Sequence, residues 1–442
     1  MLRGIDSLQE VDPFLFDLLS REYDRQVNTL SMLAASSFAD PSVFICKSMG
    51  LSNVTTEGYP GRRYHAGCGV VDEIEELAIE RAKQAFQAKY ANVQPHSGTS
   101  ANEIIIFNLL KSGDTILALE LNDGGHLSHG ARASVIGKYF NIAGYRLNEE
   151  GFLDYDEIFR LADQVKPKLI ISGASAYPRV IDFRRFREIA DSVGAYLLAD
   201  VSHIAGLIVA AEHPSSIDHA HFTTSSTYKQ LYGPRGGLIL IGRDYDSPAP
   251  RGKGTLAEMV QKAVFPFFQG TPDLASIAAK ARSLGYVLTP EFKMLMKQIV
   301  VNTRELAKCL IDYKYKLLTG GSDNHMVLVD TIVSGLTGII AERALEDCGI
   351  IINKNKIPGD KKSPLVASGI RLGTNSLALR GMGGPEMEQC AELTHIVLST
   401  VNAHSDTEYT LDKAAQRHVR SKVRELCEQF PIPNYPLKRN RV

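Results

Sequence analysis

An α/β fold, built on a mainly parallel sheet with helices on both faces, follows from two features of the sequence. Between about residues 92 and 285, apolar runs alternate with helical stretches. Examples are Thr115-Ile-Leu-Ala-Leu119, Leu169-Ile-Ile-Ser172, Tyr196-Leu-Leu-Ala199 and Gly237-Leu-Ile-Leu-Ile241. These runs are short and continuous, which is the pattern of strands covered on both sides.

The other elements follow in chain order. Residues 8–32 read as an amphipathic helical arm, because Phe14, Leu15, Leu18 and Leu19 recur at helical spacing. Residues 40–68 are rich in Gly, Pro and Tyr and read as an extended, loop-rich segment. Asp72 to Ala91 reads as a helix with Ile74, Leu77, Ala78, Ala82 and Phe86 on one face. After about residue 286 a long helical pattern runs to Tyr313. The strand-like runs Met326-Val-Leu-Val329 and Gly369-Ile-Arg-Leu372 follow, amid further helices. The expected organisation is an N-terminal arm (1–30), a large domain (31–285) and a smaller C-terminal α+β domain (286–442). The tail, Pro431-Ile-Pro-Asn-Tyr-Pro436, has too many prolines for regular structure.

Composition bounds the function. A chain of 442 residues buries a large core and divides into two or more domains. With 44% hydrophobic and 22% charged residues it is an ordinary globular chain. A net charge of -1 offers no electrostatic pull on nucleic acid or an anionic membrane. No apolar run approaches the roughly 20 residues that span a bilayer. The opening residues Met1 to Asp6 lack a signal-peptide core, so a cytoplasmic protein is expected. The cysteines at 46, 68, 309, 348, 390 and 427 form no CxxC pair. Reduced, structural thiols are expected, with no metal site.

The chemistry centres on Phe222-Thr-Thr-Ser-Ser-Thr-Tyr-Lys-Gln-Leu-Tyr-Gly-Pro-Arg-Gly-Gly237. Lys229 lies between a hydroxyl-rich loop and a Gly-rich turn. Upstream, the apolar run Tyr196–Ala199 ends in Asp200, with His203 three residues on. A lysine amine to condense with an aldehyde and an acid to pair with a pyridine nitrogen are what pyridoxal phosphate requires. The bland alternative is a surface lysine in a polar loop. Ser97, Gly98 and Thr99 precede an apolar helix pattern, Glu103 to Leu110, and so lie at a helix N-terminus suited to phosphate. Simple N-capping by Ser97 or Thr99 explains the same residues. Leu121-Asn-Asp-Gly-Gly-His-Leu-Ser-His-Gly130 is a Gly-rich turn with two histidines, either to stack on a cofactor or to satisfy loop backbone. Ser175 closes another apolar run at the same sheet edge, where ligands of open α/β sheets collect.

Taken together, these residues resemble the serine hydroxymethyltransferase family, from about residue 28 to about residue 400. The resemblance is carried by Glu57-Gly-Tyr-Pro-Gly-Arg-Arg-Tyr64, Asn92-Val-Gln-Pro-His-Ser-Gly98, Gly124-Gly-His-Leu-Ser-His-Gly130 and Ser175-Ala-Tyr-Pro-Arg179. Asp200-Val-Ser-His-Ile-Ala-Gly206, Gly233-Pro-Arg-Gly-Gly237, Asn353-Lys-Asn-Lys-Ile-Pro358 and Ser368-Gly-Ile-Arg-Leu-Gly-Thr374 extend it. It implies a fold-type-I pyridoxal-phosphate enzyme with a seven-stranded-type sheet. Lys229 would then form the internal aldimine, Asp200 would hold the pyridine nitrogen and His126 would stack on the ring. Ser97, Gly98 and Thr99 would cup the phosphate, while Ser175 and His203 would contact the ring oxygen. Arg371 would take the substrate carboxylate, and Glu57 would act as acid/base on the substrate hydroxyl across a subunit interface. Leu121, Leu127 and Asn355 match positions that hold tetrahydrofolate, and Tyr64 matches one that stacks on it or serves as a core aromatic. An obligate homodimer, or a tetramer, is implied, with Thr55, Gly270 and Thr271 reaching the neighbour's cofactor.

The chain also departs from the family pattern. Ala34-Ala-Ser-Ser37 stands for Ala-Ser-Glu-Asn, so Ala35 replaces a carboxylate-binding serine and Ser36 an acid. Thr55 and His65 replace tyrosines, Tyr228 a histidine, Tyr232 an arginine and Thr271 a glycine. Three readings follow. The first is aldol-type Cα–Cβ cleavage or transfer on a β-hydroxy or β-substituted amino acid. The second is a specialised biosynthetic homologue performing β-elimination, transaldol exchange or decarboxylation on a bulkier amino acid. The third is a non-catalytic binding relative.

Overall fold

The computed structural model describes residues 2–250 and 252–435, with residues 2–4 by backbone alone. The chain forms two compact units. One comprises Ser42–Lys297 with Ile357–Asp360, and the other Met1–Pro41, Gln298–Lys356 and Lys361–Val442.

The N-terminal arm is two helices, α1 (Leu2–Val11) and α2 (Pro13–Val27), where the sequence read as one. Pro13 supplies no N–H to continue α1, but it suits the first turn of a new helix. Asp12 caps that turn, its carboxylate accepting from Leu15 N–H at 3.0 Å.

The larger unit is organised on seven strands: β1 (Tyr90–Asn92), β2 (Thr115–Leu119), β3 (Asn141–Tyr145), β4 (Leu169–Ser172), β5 (Tyr196–Asp200), β6 (Phe222–Ser226) and β7 (Gly237–Ile241). They lie in the order β1-β7-β6-β5-β4-β2-β3. β7 runs antiparallel to both of its neighbours, and the other pairs are parallel. Helix α3 (Gly69–Phe86) precedes the sheet. It stops at Gln87, whose φ of 57° is left-handed, so the pattern read as far as residue 91 yields to strand β1. Of the face expected from the sequence, Ala78, Ala82 and Phe86 are buried and Ile74 is half-buried. Leu77 is exposed, whereas Glu75 is buried because Arg63 and Gln94 pair with it.

Helix α4 (Gly98–Leu109) covers one sheet face with Ile104, Ile105 and Ile106, all fully buried against Ile116, Ile171, Leu198 and Ile239. Each such side chain contributes about 1.5–3 kcal/mol relative to exposure, which pins the N-terminus of α4 to the sheet edge. Helices α5 (Tyr155–Val165) and α6 (Phe183–Val193) pack together, and Phe186 of α6 meets Tyr145 of β3 at 5.7 Å between ring centroids. Helix α7 (Leu274–Val287) packs along α3, where Arg81 donates to the Ala281 carbonyl.

Strand β6 corrects the sequence reading most clearly. Its hydroxyl run is no loop but a strand buried along its whole length. Its polar groups are satisfied inside: Thr224 Oγ1 donates to Asn102 Oδ1 at 2.5 Å, and Thr223 meets Ser216 at 2.9 Å. Tertiary partners offset the desolvation that propensity alone would penalise.

The smaller unit holds an antiparallel sheet of β8 (Lys316–Leu317), β9 (Met326–Asp330), β10 (Asn353–Asn355) and β11 (Gly369–Gly373), in the order β8-β9-β11-β10. Its core includes Leu30, Met32, Val327, Ile340, Leu372, Leu377, Val397 and Val423. Arg380 fastens the chain ends to this core, donating to the carbonyls of Val27, Thr29 and Phe430. Residues 431–435 adopt no helix or strand, and Pro436 of the same tail lies outside the described residues. No helix among the described residues is long and apolar enough to cross a membrane. All six cysteines are free thiols.

Candidate active site

Asp200 ends β5, and Ser226 ends β6 three residues before Lys229. The turn after β4 carries Ala174 and Ser175 past the same sheet edge. Helix α4 begins alongside at Gly98, where a Cβ would press on Ser226 at 3.2 Å from both its nitrogen and its Cβ. A side chain there would crowd β6, so glycine eases this close approach of the helix start.

These ends enclose a cavity of about 160 Å³. It is lined by Ser97, Gly98, Thr99, His126, Ser175, Asp200, His203, Tyr228 and Lys229, all of them named from the sequence. His129, Ala174, Ser202, Ser226 and Arg235 complete the wall.

Asp200 is the most constrained group. Its Oδ2 accepts from Asn102 Nδ2 at 2.8 Å and meets His129 Nε2 at 3.0 Å. Its Oδ1 accepts from the Ser202 hydroxyl at 2.6 Å and from Ser202 N–H at 3.0 Å. Burial opposes ionisation. The hydrogen bond and charge of His129, with the Ser202 hydroxyl, override it and hold the carboxyl well below the usual range. Asp200 is therefore a fixed negative charge. One atom each of His126, His129 and Asp200 lies within 4.8 Å of the others. Both oxygens of Asp200 accept hydrogen bonds within this cluster.

His126 Nδ1 meets the Ser128 hydroxyl at 2.8 Å, and that hydroxyl accepts from Asn102 Nδ2. Burial pushes the ring down to about 4, which keeps it neutral at pH 7. Ser97 caps α4, accepting from Ser100 N–H at 3.0 Å, which is the N-capping read from the sequence. The N–H groups of Gly98 and Thr99 have no partner within the helix, and the helix dipole favours an anion before them. Arg235 lies over the Tyr228 ring, with 4.2 Å from guanidinium carbon to ring centroid. Lys229 Nζ lies 5.8 Å from the same ring. The ring thus holds a cation at the cavity wall beside the lysine.

Other residues named from the sequence lie elsewhere. Thr55, Tyr64, His65, Gly270 and Thr271 are exposed and Glu57 is half-buried, and none of them lines this cavity. A Cβ on Gly270 would sit 3.7 Å from Glu57 Oε1, so these two form a patch of their own. Leu121 and Leu127 are exposed. In the smaller unit, Arg371 is buried in β11 and donates from Nε to Asn353 Oδ1 at 3.1 Å. Ala35 is half-buried and Asn355 ends β10. Sequence reasoning did not assign roles to Asn102, His129, Ser202, Ser226 or Arg235. A polar residue at the expected helix face (Asn102) and a serine two residues beyond the key acid (Ser202) were the available signals.

Comparison with known proteins gives two results. The family model for serine hydroxymethyltransferase matches residues 8–394. A protein of Rickettsia bellii (strain RML369-C), described as "Probable serine hydroxymethyltransferase", is 45% identical over 428 residues, which cover 97% of this chain and 98% of that protein. A match of that extent, on a seven-stranded α/β scaffold with a lysine, an acid and a helix N-terminus around one cavity, makes the chain a member of the serine hydroxymethyltransferase family.

Proposed function

We propose that the cavity holds pyridoxal phosphate, and that the enzyme uses it to cleave or form the Cα–Cβ bond of a β-hydroxy amino acid, exchanging a one-carbon unit with tetrahydrofolate. The observation that carries this reading is the convergence of Lys229, an ionised Asp200, a neutral His126 and the α4 N-terminus on one space.

The residues fit that group. Asp200 supplies a fixed negative charge for a pyridinium nitrogen. His126 offers an uncharged ring face. Gly98 and Thr99 offer N–H donors, and the hydroxyls of Ser97 and Thr99 extend the cup. Ser226 Oγ and His129 Nδ1 are buried on this wall without hydrogen-bond partners among the described residues, which leaves hydrogen-bonding capacity for a polar ligand. When bound, pyridoxal phosphate supplies an electron sink for a bond broken at Cα.

The chain's own groups do the rest. Lys229 holds the cofactor through its amine and, once displaced, accepts or returns a proton at Cα. Arg371 binds the substrate carboxylate by a two-pronged pair. Glu57 moves the proton of the substrate hydroxyl. Glu57, Thr55, Gly270 and Thr271 lie outside their own chain's cavity, while Tyr64 and Phe267 are exposed aromatics. That arrangement supports a homodimer in which each chain lends this patch to its neighbour's site. The test is to incubate the purified protein with serine and tetrahydrofolate and follow glycine. Release of ammonia without glycine would instead assign β-elimination.

A further inference from the structure

Lys280 is buried to 1% exposure, and the reaction as proposed makes no use of it. It stands on α7, and its Nζ meets three backbone carbonyls: Val93 at 2.5 Å, Pro95 at 3.0 Å and Gly237 at 3.0 Å. An ammonium has three N–H donors and no acceptor, so this set uses it fully. Burial pushes the group down to about 7, with Asp273 and Glu75 opposing and Lys47 assisting. The three carbonyls can only accept, and they favour the charged form.

The carbonyls mark a particular place. Strands β1 and β7 pair as far as Asn92 and Ile239, and there the ladder ends. Beyond it, the loop Val93–His96 leads to Ser97, Gly98 and Thr99, and a single backbone bond, Gly237 N–H to Pro95 O at 2.9 Å, continues the pairing. Lys280 fills the gap. It ties the approach to α4, from both sides of Gln94, to the first residue of β7. Gly236 leaves room for this, because a Cβ there would collide with Lys280 Cε.

We infer that Lys280 is a positioning residue for phosphate, locking the 93–97 loop so that the α4 N-terminus is already formed before the anion arrives. The inference rests on the cofactor reading above. A helix start held in place spares the ordering cost that a loose one would incur on binding. The benefit falls on the phosphate and not on the ring or the aldehyde, which Asp200, His126 and Lys229 handle.

The experiment compares wild type, Lys280→Met and Gly236→Ala, each freed of cofactor. Affinities for pyridoxal phosphate, pyridoxal and inorganic phosphate are measured together with the thermal midpoint. In Lys280→Met, the phosphorylated cofactor and inorganic phosphate should weaken by about tenfold or more, while pyridoxal shifts by less than about twofold. Gly236→Ala should change the same ratio in the same direction, and it decides the matter if Lys280→Met does not fold. Equal weakening of pyridoxal phosphate and pyridoxal, or a lower midpoint with an unchanged ratio, overturns the proposal while leaving the cofactor reading intact. A wild type that binds neither form of the cofactor overturns both.

Discussion

His129 and Asp200 meet at 3.0 Å from ring nitrogen to carboxylate oxygen, both nearly closed to solvent. Asp200 is thereby oriented as well as ionised, since Asn102 shares the same oxygen and Ser202 takes the other.

The first prediction concerns that charge. Asp200→Asn keeps the shape and removes the negative charge that, in the proposed reading, a pyridine nitrogen would face. Steady-state kinetics should find kcat/KM reduced at least about a hundredfold, or about 2.7 kcal/mol in the barrier. The pH dependence has a definite sign. The folded value lies below the unfolded one, so the stabilisation from Asp200 is complete above about pH 4 and is lost as pH falls further. Near-normal turnover in Asp200→Asn would remove the acid from its assigned role.

Arg63 provides a second test. Its guanidinium pairs with Asp72 at 2.8 Å and with the buried Glu75 at 2.6 Å, and it donates to Gly58 O, closing the hairpin that carries Glu57 and Tyr64. Arg63→Met strands Glu75 without its cation. Urea unfolding should register a loss of roughly 3–5 kcal/mol. A change below about 1 kcal/mol would mean that water reaches Glu75 and the pair is dispensable.

Substrate affinity is a third. Ala35 offers no hydroxyl where the family has one, and His65 replaces a tyrosine. Losing a hydrogen bond to a carboxylate costs on the order of 1.5–3 kcal/mol, so serine and glycine should bind weakly. Ala35→Ser with His65→Tyr should tighten both by about tenfold or more. Titration of the bound-cofactor spectrum reads this directly. Tight serine binding by the wild type, with no gain in the double variant, would make these positions neutral drift.

The fourth prediction concerns assembly. Sedimentation of the cofactor-loaded protein should find a homodimer or larger at all practical dilutions, with an interface above roughly 2,000 Å². A monomer that retains the cofactor fully would contradict the shared site.

The legible parts of this protein are those that repeat or end something. The continuous apolar runs of β2, β4, β5 and β7 announced the sheet, and the residues at their ends announced the cavity. Polar groups buried by distant partners were not legible. Strand β6 read as a loop because five residues including four hydroxyls look solvated until Asn102 and Ser216 are brought against them. The burial of Glu75 is not legible locally, because Arg63 and Gln94, which satisfy it, lie 12 and 19 residues away. Lys280 is not legible, since its three partners are backbone carbonyls and carry no side-chain signature. Arg235 reads only as part of a Gly-rich turn, and its place over Tyr228 depends on the fold of that turn.

The most direct test of the central claim is the conversion of saturating serine and tetrahydrofolate to glycine, run with wild type and Lys229→Ala while the visible absorbance of the lysine-bound cofactor is recorded. The wild type should form glycine and carry the absorbance, and Lys229→Ala should lose both while remaining folded. Full absorbance in Lys229→Ala, or a wild type that binds the cofactor yet forms no glycine, would contradict the account.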